Sequence, residues 1–477
     1  MSCPVSLRGS DAEGIFPAWA IPFHLPGTLW MTGLDTCLRV HLSLESYFLI
    51  IQEGWRLARK ETGPNGGGLP PSSNMLYFLG LGDLIIQLNR HERPYCKNKA
   101  MRFNLKLYFK TIQYAFFKSE GTPARLSPKR FFINLFIFLF WPAWQLGIRF
   151  AYLVDNLFFP EFQSQEVREP VFIVGNFRSG TTFLHRLLTK DDQSTSFTSW
   201  ELYLAPSVVG RKFYHWLMKI NYAIGNPARW VIGIFNRIVE KEAYMHKIGL
   251  NEVEEDGQVL FQIWSSFDMI AFFPFPKLVK KYIYYDDQIP DDEKKRDMRY
   301  YSEIVKKHVY AHGGRRYISK NPSHSPKVKT LHQQFPDAKF INIIRNPLQV
   351  IPSTISLFSK HCHTYGDPEA EYYLQENVIE HSKHWYLYPR QYLKKLPKNQ
   401  YIQVRYKDLV NDPKGTIEEI YRKFEFDLSP EYARVLQAEA DKARSYKSKH
   451  RYSLKKMGLS KQRIQREFQF VNRLTEN

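Results

Sequence analysis

Cysteine is scarce in this chain: four residues in 477, at Cys3, Cys37, Cys96 and Cys362, with no CxxC spacing. That excludes a disulfide framework and a four-thiolate zinc site, and it fits a reducing compartment. His361-Cys362-His363 places ligand types together, but three adjacent residues cannot wrap one ion, so no metal is expected. A cleavable signal peptide is not evident, because no charged segment precedes an apolar core near the start. Lysine is nearly missing from residues 1–75, where Lys60 stands alone. Acidic residues are outnumbered: 47 Asp and Glu face 67 Lys and Arg, a net charge of +20. Such a surface calls for anionic partners, whether nucleotide, acidic glycan or anionic membrane. Nucleic acid is the weakest of these, since the chain has no zinc-finger, helix-turn-helix or RNP signature and its cations are dispersed. Internal repeats are absent too.

One more absence is local. Residues 171–182 read Val-Phe-Ile-Val-Gly-Asn-Phe-Arg-Ser-Gly-Thr-Thr. A short apolar strand, a loop bracketed by Gly175 and Gly180, and a helix from Thr181 to Leu188 form the pattern of a phosphate cradle, in which backbone N–H groups meet an anion. A nucleoside triphosphatase would carry Lys after the second glycine, followed by Ser or Thr for magnesium. Here Thr181 follows Gly180, and the loop's one cation is Arg178. The site suits an anion and lacks the apparatus for a metal-bound triphosphate.

The chain divides by composition. Residues 1–75, ending in the loop-like Gly63-Pro64-Asn65-Gly66-Gly67-Gly68-Leu69-Pro70-Pro71, are expected to be an extension, with residues 1–74 either dispensable or a mis-assigned start ahead of Met75. Residues 76–165 are expected to be a helical, membrane-associating region. Its most apolar part, residues 131–148, is about as long as the shortest membrane span. Lys129 and Arg130 precede it, Arg149 closes it, and Asn134, Pro142 and Gln145 interrupt it. An interfacial segment is the favoured reading, supported by Trp141 and Trp144; a true span and a buried core helix stay open. Residues 166–477 form the third part. There, apolar strands at 171–174, 317–319, 340–344 and 401–404 alternate with helical segments. The expected fold is α/β: a mostly parallel, P-loop-type sheet flanked by helices. Ligands of such sheets bind at the carboxyl ends of strands. Arg178, Lys320, Arg345 and Arg405 all stand just past such ends.

At this point the sequence resembles the sulfotransferases that use 3′-phosphoadenosine 5′-phosphosulfate (PAPS), in their bacterial-type branch. Gly175 to Thr182 is similar to that family's loop for the 5′-phosphosulfate. Arg345-Asn346-Pro347-Leu348-Gln349-Val350-Ile351-Pro352-Ser353 is similar to its 3′-phosphate motif, with Arg345 and Ser353 as contacts. Asp155 to Pro160, Lys320 to His324, Phe335 to Ala338 and Arg405 to Leu409 extend the likeness over roughly residues 150–465. The resemblance implies that Ser179, Gly180, Thr181 and Thr182 hold the 5′-phosphate and that Tyr406 packs on the adenine. It also implies that Arg451, in a basic C-terminal loop, meets the 3′-phosphate. Arg178 stands where many relatives carry Lys and would stabilise the leaving oxygen and the transferring sulfonate; Lys320 would be a second cation there. The co-substrate would be PAPS, without a metal.

The general base is less determined. Cytosolic members carry Lys-x-His where this chain has Lys320-Asn321-Pro322, so that histidine is missing. The acidic run Asn251-Glu252-Val253-Glu254-Glu255-Asp256 offers Glu255 first and Glu254 second, with His324 as another candidate. The same run also fits a capped start to a helix reaching Trp264. Trp200-Glu201 either lines the acceptor side or belongs to the core. The apolar segment favours a lipid-like or membrane-embedded acceptor, and a cytoplasmic protein or one at a membrane's cytoplasmic face. A P-loop kinase or nucleotide-binding regulator is the runner-up, disfavoured by the missing lysine; a catalytically inert membrane-surface protein is a third reading.

Overall fold

The computed structural model describes residues 103–230, 233, 249, 251–366, 372–444 and 454–471. The expectations for residues 1–75 and 76–102, and the contact assigned to Arg451, fall outside these residues.

Two helices lead in: α1 (Leu105–Phe117) and the long α2 (Pro128–Phe158). Each is started by a side chain that satisfies an orphan N–H group. Asn104 accepts from the Leu107 N–H, and Ser127 accepts from that of Arg130 ahead of Pro128. Then come β1 (Val171–Gly175), α3 (Thr181–Leu188), β2 (Ser194–Thr195), α4 (Val208–Ala223), α5 (Asp291–Ala311), β3 (Arg316–Lys320), β4 (Lys339–Ile344), α6 (Pro347–Tyr365), α7 (Gln375–Leu393), β5 (Tyr401–Arg405), α8 (Pro413–Phe424) and α9 (Pro430–Arg444).

The five strands run in the order β2-β3-β1-β4-β5, and every pairing is parallel. β1 is central, and its five residues are all buried. Such a strand needs apolar residues on both faces, which Val171-Phe172-Ile173-Val174 supplies. Alternation then divides the core. Phe172 and Val174 belong to one buried cluster with Tyr301 and Ile304 of α5, whereas Val171 and Ile173 belong to another with Leu184 and Leu187 of α3 and Ile420 of α8. A third, aromatic cluster built on Trp264, Phe138, Tyr282 and Trp385 ties α1 and α2 to the body. The expected α/β sheet with flanking helices is therefore present.

Register fixes which strand ends stand together. Gly175 pairs with Ile343, and Ile173 pairs with Lys320. The chain turns to opposite sides of β1 for β3 and β4, which makes the carboxyl end of β1 the switch point of the sheet.

One expectation is corrected. Residues 251–256 are not the first turn of a helix: the helix there covers only Gly257–Gln262. The middle of the acidic run is bridged to a neighbouring segment instead, with turns at Asn251 and Asp256. Thr198 and Val253 make an antiparallel bridge, and the Glu254 N–H donates to the Phe197 carbonyl at 2.9 Å.

Candidate active site

The loop after β1 is built for a close approach. Gly175 has φ +143°, and a Cβ there would sit 2.6 Å from the Ile343 carbonyl oxygen. Gly180 has φ +97°, and a Cβ there would run into the Tyr406 ring. Only glycine takes both the left-handed backbone and the missing volume. Arg178, at φ +64°, is left-handed without being glycine. Between them Phe177 anchors the loop among Phe267, Phe358, His381 and Trp385. The first-turn N–H groups of α3, at Thr181 and Thr182, precede any helical acceptor. Ser179 Oγ is buried and has no hydrogen-bond partner among the described residues. Such a cradle fits an anionic group.

The two motifs identified in the sequence meet here. Arg178 Nε donates to Ser353 Oγ at 3.0 Å across 175 positions of sequence. Arg345 Nη1 donates to the Arg178 carbonyl at 2.8 Å. The Arg345 guanidinium also lies 4.0 Å from the centre of the Tyr406 ring. Gly175, Arg178, Ser179, Gly180, Thr181, Thr182, Arg345, Ser353 and Tyr406 thus form one constellation. Arg405 is not part of it: exposed, it pairs with Asp408 at 2.5 Å.

A second group stands at the end of β3. The buried Lys320 donates to Glu255 Oε1 at 2.6 Å. Glu254 accepts from Ser199 Oγ at 3.3 Å and from the Glu255 N–H at 2.9 Å. Burial pushes the Glu254 carboxyl above its ordinary value, against the pull of Lys320 and those hydrogen bonds. Tyr203, 41% exposed, has its phenol raised by local desolvation and then by the charges of Glu254, Glu255 and Asp268.

Sequence reasoning missed the groups behind this site. Ser325 Oγ accepts from the Gly175 N–H and donates to the Gly175 carbonyl, each at 3.0 Å, so the turn after β3 holds the start of the loop. Tyr386 donates to the Arg345 carbonyl at 2.6 Å. Asp268 accepts from Ser323 Oγ at 2.6 Å, and its pKa is raised by burial. Asp256 is buried and accepts from Tyr301 and from Tyr317 at 2.7 Å. Burial opposes its charge, but His324 and the two phenols prevail and hold its pKa low. His324 Nε2 is 3.3 Å from Asp256, and the ring is fully buried against Tyr301 and Phe172. It sits behind the strand end, enclosed in the core. Asp256, Ser323 and His324 lay within runs that the sequence marked; Ser325, Tyr386 and Asp268 follow no spacing rule.

Trp200 and Glu201 lie in the core. Trp200 stacks on Tyr214 with centroids 4.2 Å apart. Glu201 caps the Thr198 N–H at 2.9 Å and faces Arg211 at 3.7 Å and His312 at 2.7 Å. Donor atoms of Glu201, His308 and His312 come within 4.8 Å of one another, but the Arg211 guanidinium already balances the carboxylate.

The family model for sulfotransferases matches residues 170–430, more than half of the chain. The chain belongs to the sulfotransferase family. It is 30% identical over 261 residues to the omega-hydroxy-beta-dihydromenaquinone-9 sulfotransferase Stf3 of Mycobacterium bovis, and the Mycobacterium tuberculosis protein of that name matches equally. The match takes in 53% of this chain and 62% of Stf3, so it spans less than two thirds of that relative. The solved sulfotransferase STF1 of Mycobacterium tuberculosis superposes with a TM-score of 0.56 at 21% identity, over 76% of this chain and 91% of that one. STF9 of Mycobacterium avium gives 0.57 at 16% identity, over 79% and 97%. These two likenesses establish the shared fold. The sulfotransferase domain sits on the parallel sheet, with both motifs at the carboxyl end of β1 and β4.

Proposed function

We propose that this sulfotransferase moves the sulfuryl group of PAPS to the hydroxyl of a lipid-like or membrane-embedded acceptor at a membrane's cytoplasmic surface. The observation that carries the reading is the meeting of Arg178, Ser353, Arg345 and Tyr406 over the glycine loop, beside Lys320 and Glu255. PAPS presents anionic groups at both ends, and the cradle and the two arginines offer a cationic seat for each. The phosphosulfate would lie on Gly175, Ser179, Gly180, Thr181 and Thr182, and the 3′-phosphate on Arg345 and Ser353.

The transfer is an in-line displacement at sulfur. The acceptor oxygen forms a bond to sulfur as the bond from sulfur to the phosphate oxygen breaks, and the acceptor proton passes to a carboxylate. The products are a sulfate ester and 3′-phosphoadenosine 5′-phosphate (PAP). Charge grows on the departing oxygen, where Arg178, a planar cation that cannot act as a general acid, stabilises it. Lys320 adds a second positive charge and orients Glu255, the first candidate for the base; Glu254 is the second. Holding the reactants in line supplies much of the remaining rate. Missing Lys after Gly180 argues against a nucleoside triphosphate at this loop. The lipid-like acceptor draws its support from the exposed apolar face of α2 and from Stf3, whose name describes a menaquinone-derived acceptor.

The test uses the full chain, sulfur-labelled PAPS and a cell lipid extract. Label should appear in a lipid. Arg178→Ala should lower turnover about 10²–10³-fold with PAP still bound. Tighter binding of ATP with magnesium than of PAP would overturn the reading.

A further inference from the structure

We propose that α2 and α4 together form a docking surface for an anionic lipid bilayer, on which the protein lies without crossing it. The inference deepens the membrane-facing part of the reading above and does not depend on the donor or the base.

Helix α2 is inverted relative to a soluble helix. The side turned to the protein carries Arg130, Asn134, Gln145, Tyr152 and Asp155, all buried. The opposite side carries Phe132, Phe136, Leu139, Leu146, Phe150 and Leu153, all exposed. Their spacing of three and four keeps them on one stripe for the length of the helix. Only 22% of its most apolar window is buried, which removes the core-helix reading. Phe132 and Phe150 remain 67% and 71% exposed. A surface helix of a soluble protein does the reverse, and a continuous exposed apolar patch of this kind marks an interaction site.

Crossing is disfavoured by how the helix is held. Near its start, Arg130 Nη1 donates to the Tyr365 carbonyl at 2.7 Å and Nη2 donates to that of Phe272. Near its end, Asp155 pairs with the buried Lys307 at 2.9 Å. The 31 residues of α2 span about 46 Å, longer than a hydrocarbon core of about 30 Å. The same body therefore clamps both ends. A span would draw that body, with its buried charges, into hydrocarbon.

The second helix starts where α2 ends. Asp155 accepts from the Val208 and Val209 N–H groups at 3.0 and 2.8 Å, and Lys212 lies 5.1 Å from the centre of the Phe159 ring. Phe213, Trp216, Leu217 and Ile220 form another exposed stripe at helical spacing, with Trp216 55% exposed. Tryptophan suits the headgroup boundary.

Charge selects the occupant. The exposed charged residues of the two helices are Lys129, Arg149, Lys212 and Lys219, all cations, and their one acid, Asp155, is buried. Apolar stripes edged only by cations match an anionic lipid surface, where basic side chains reach headgroups while the stripe enters the acyl boundary. A second copy of this chain would bring the same cations against them.

The full chain should cosediment with vesicles of phosphatidylcholine holding about 30 mol% phosphatidylserine, bind less at high salt, and come off in alkaline carbonate. Phe136→Glu with Leu139→Glu, Trp216→Glu with Ile220→Glu, and Lys212→Glu with Lys219→Glu should each weaken binding about tenfold or more. PAP binding by every variant reports that it folds. Sulfate transfer to a soluble phenol or alcohol tests the proposed activity separately, so either idea can fail alone. No binding to anionic vesicles, or resistance to carbonate, would overturn the proposal. So would full binding by the Trp216 pair, or a stable dimer that the Phe136 pair disperses while vesicles bind nothing.

Discussion

Glu254 and Glu255 are the two carboxylates proposed as base at this site, and their surroundings differ. Glu255 is bonded to Lys320 at 2.6 Å, which orients it. Burial raises the pKa of Glu254, which makes it a stronger base when ionised than an ordinary carboxylate. If Glu255 takes the acceptor's proton, Glu255→Gln should cut kcat about 10²–10⁴-fold and Glu254→Gln should cut it far less. If Glu254 does, wild-type kcat should rise with pH through a value above the ordinary carboxylate range, and Glu254→Gln should abolish that limb. Initial rates across pH for both variants, with PAP affinity as a folding check, decide between them. Near-normal turnover in Glu255→Gln removes Glu255. Single residues were legible only where a motif carried them. Arg178, Arg345, Ser353 and Tyr406 stand in motifs and do meet. Ser325, Tyr386 and Asp268 support the same site through contacts between distant segments, and no local spacing encodes such contacts.

Elements read well where backbone pattern and burial agree, and poorly where a tertiary contact overrides local preference. The four apolar runs became strands because each fills the sheet on both faces. The acidic run at 251–256 carried the signs of a helix start, but a bridge from Thr198 to Val253 ties its middle to a neighbouring segment. The helix begins at Gly257 instead, where a Cβ would lie 2.5 Å from Asn321 Nδ2. Helix α4 went unremarked because its apolar stripe is shorter than that of α2, and its partnership with Asp155 is invisible locally. The loop after β1 gives a prediction at this scale. Gly180→Ala adds a methyl group at φ +97°, against the Tyr406 ring. The loop or the ring must move, and a left-handed non-glycine costs about 1–2 kcal/mol besides. PAP affinity, measured calorimetrically, should fall about tenfold or more. Unchanged affinity would mean that the loop does not seat the nucleotide.

The whole molecule carries histidines in a form that resists charge. His185 and His381 are fully buried, and burial pushes both down to about 3, with Lys320 adding to the effect at His185. His308 is buried as well and is lowered well below its usual value. Between about pH 3 and the unfolded value near 6.5, the unfolded chain binds protons at these sites and the native chain does not. Stability is therefore highest above 6.5 and falls as pH drops. Each site contributes at most about 1.4 kcal/mol per pH unit. Asp256 and Glu201 are carboxylates held low by their partners, and they act in the same direction. Their loss begins only below the ordinary carboxylate pKa, whereas Glu254, Asp268, Asp286 and Asp297, raised by burial, act the other way, so the histidine contribution is read from the difference between wild type and a histidine variant. His381 is the best probe, because Phe177, Phe267, Phe358 and Trp385 surround it and phenylalanine suits that nest. Urea unfolding of wild type at pH 7, 6 and 5 should show a steady loss of stability. His381→Phe should flatten that slope by about 1 kcal/mol per pH unit. An unchanged slope would show that the acid sensitivity arises elsewhere, because a neutral histidine in that nest cannot titrate without opening the packing that anchors the loop after β1 through Phe177.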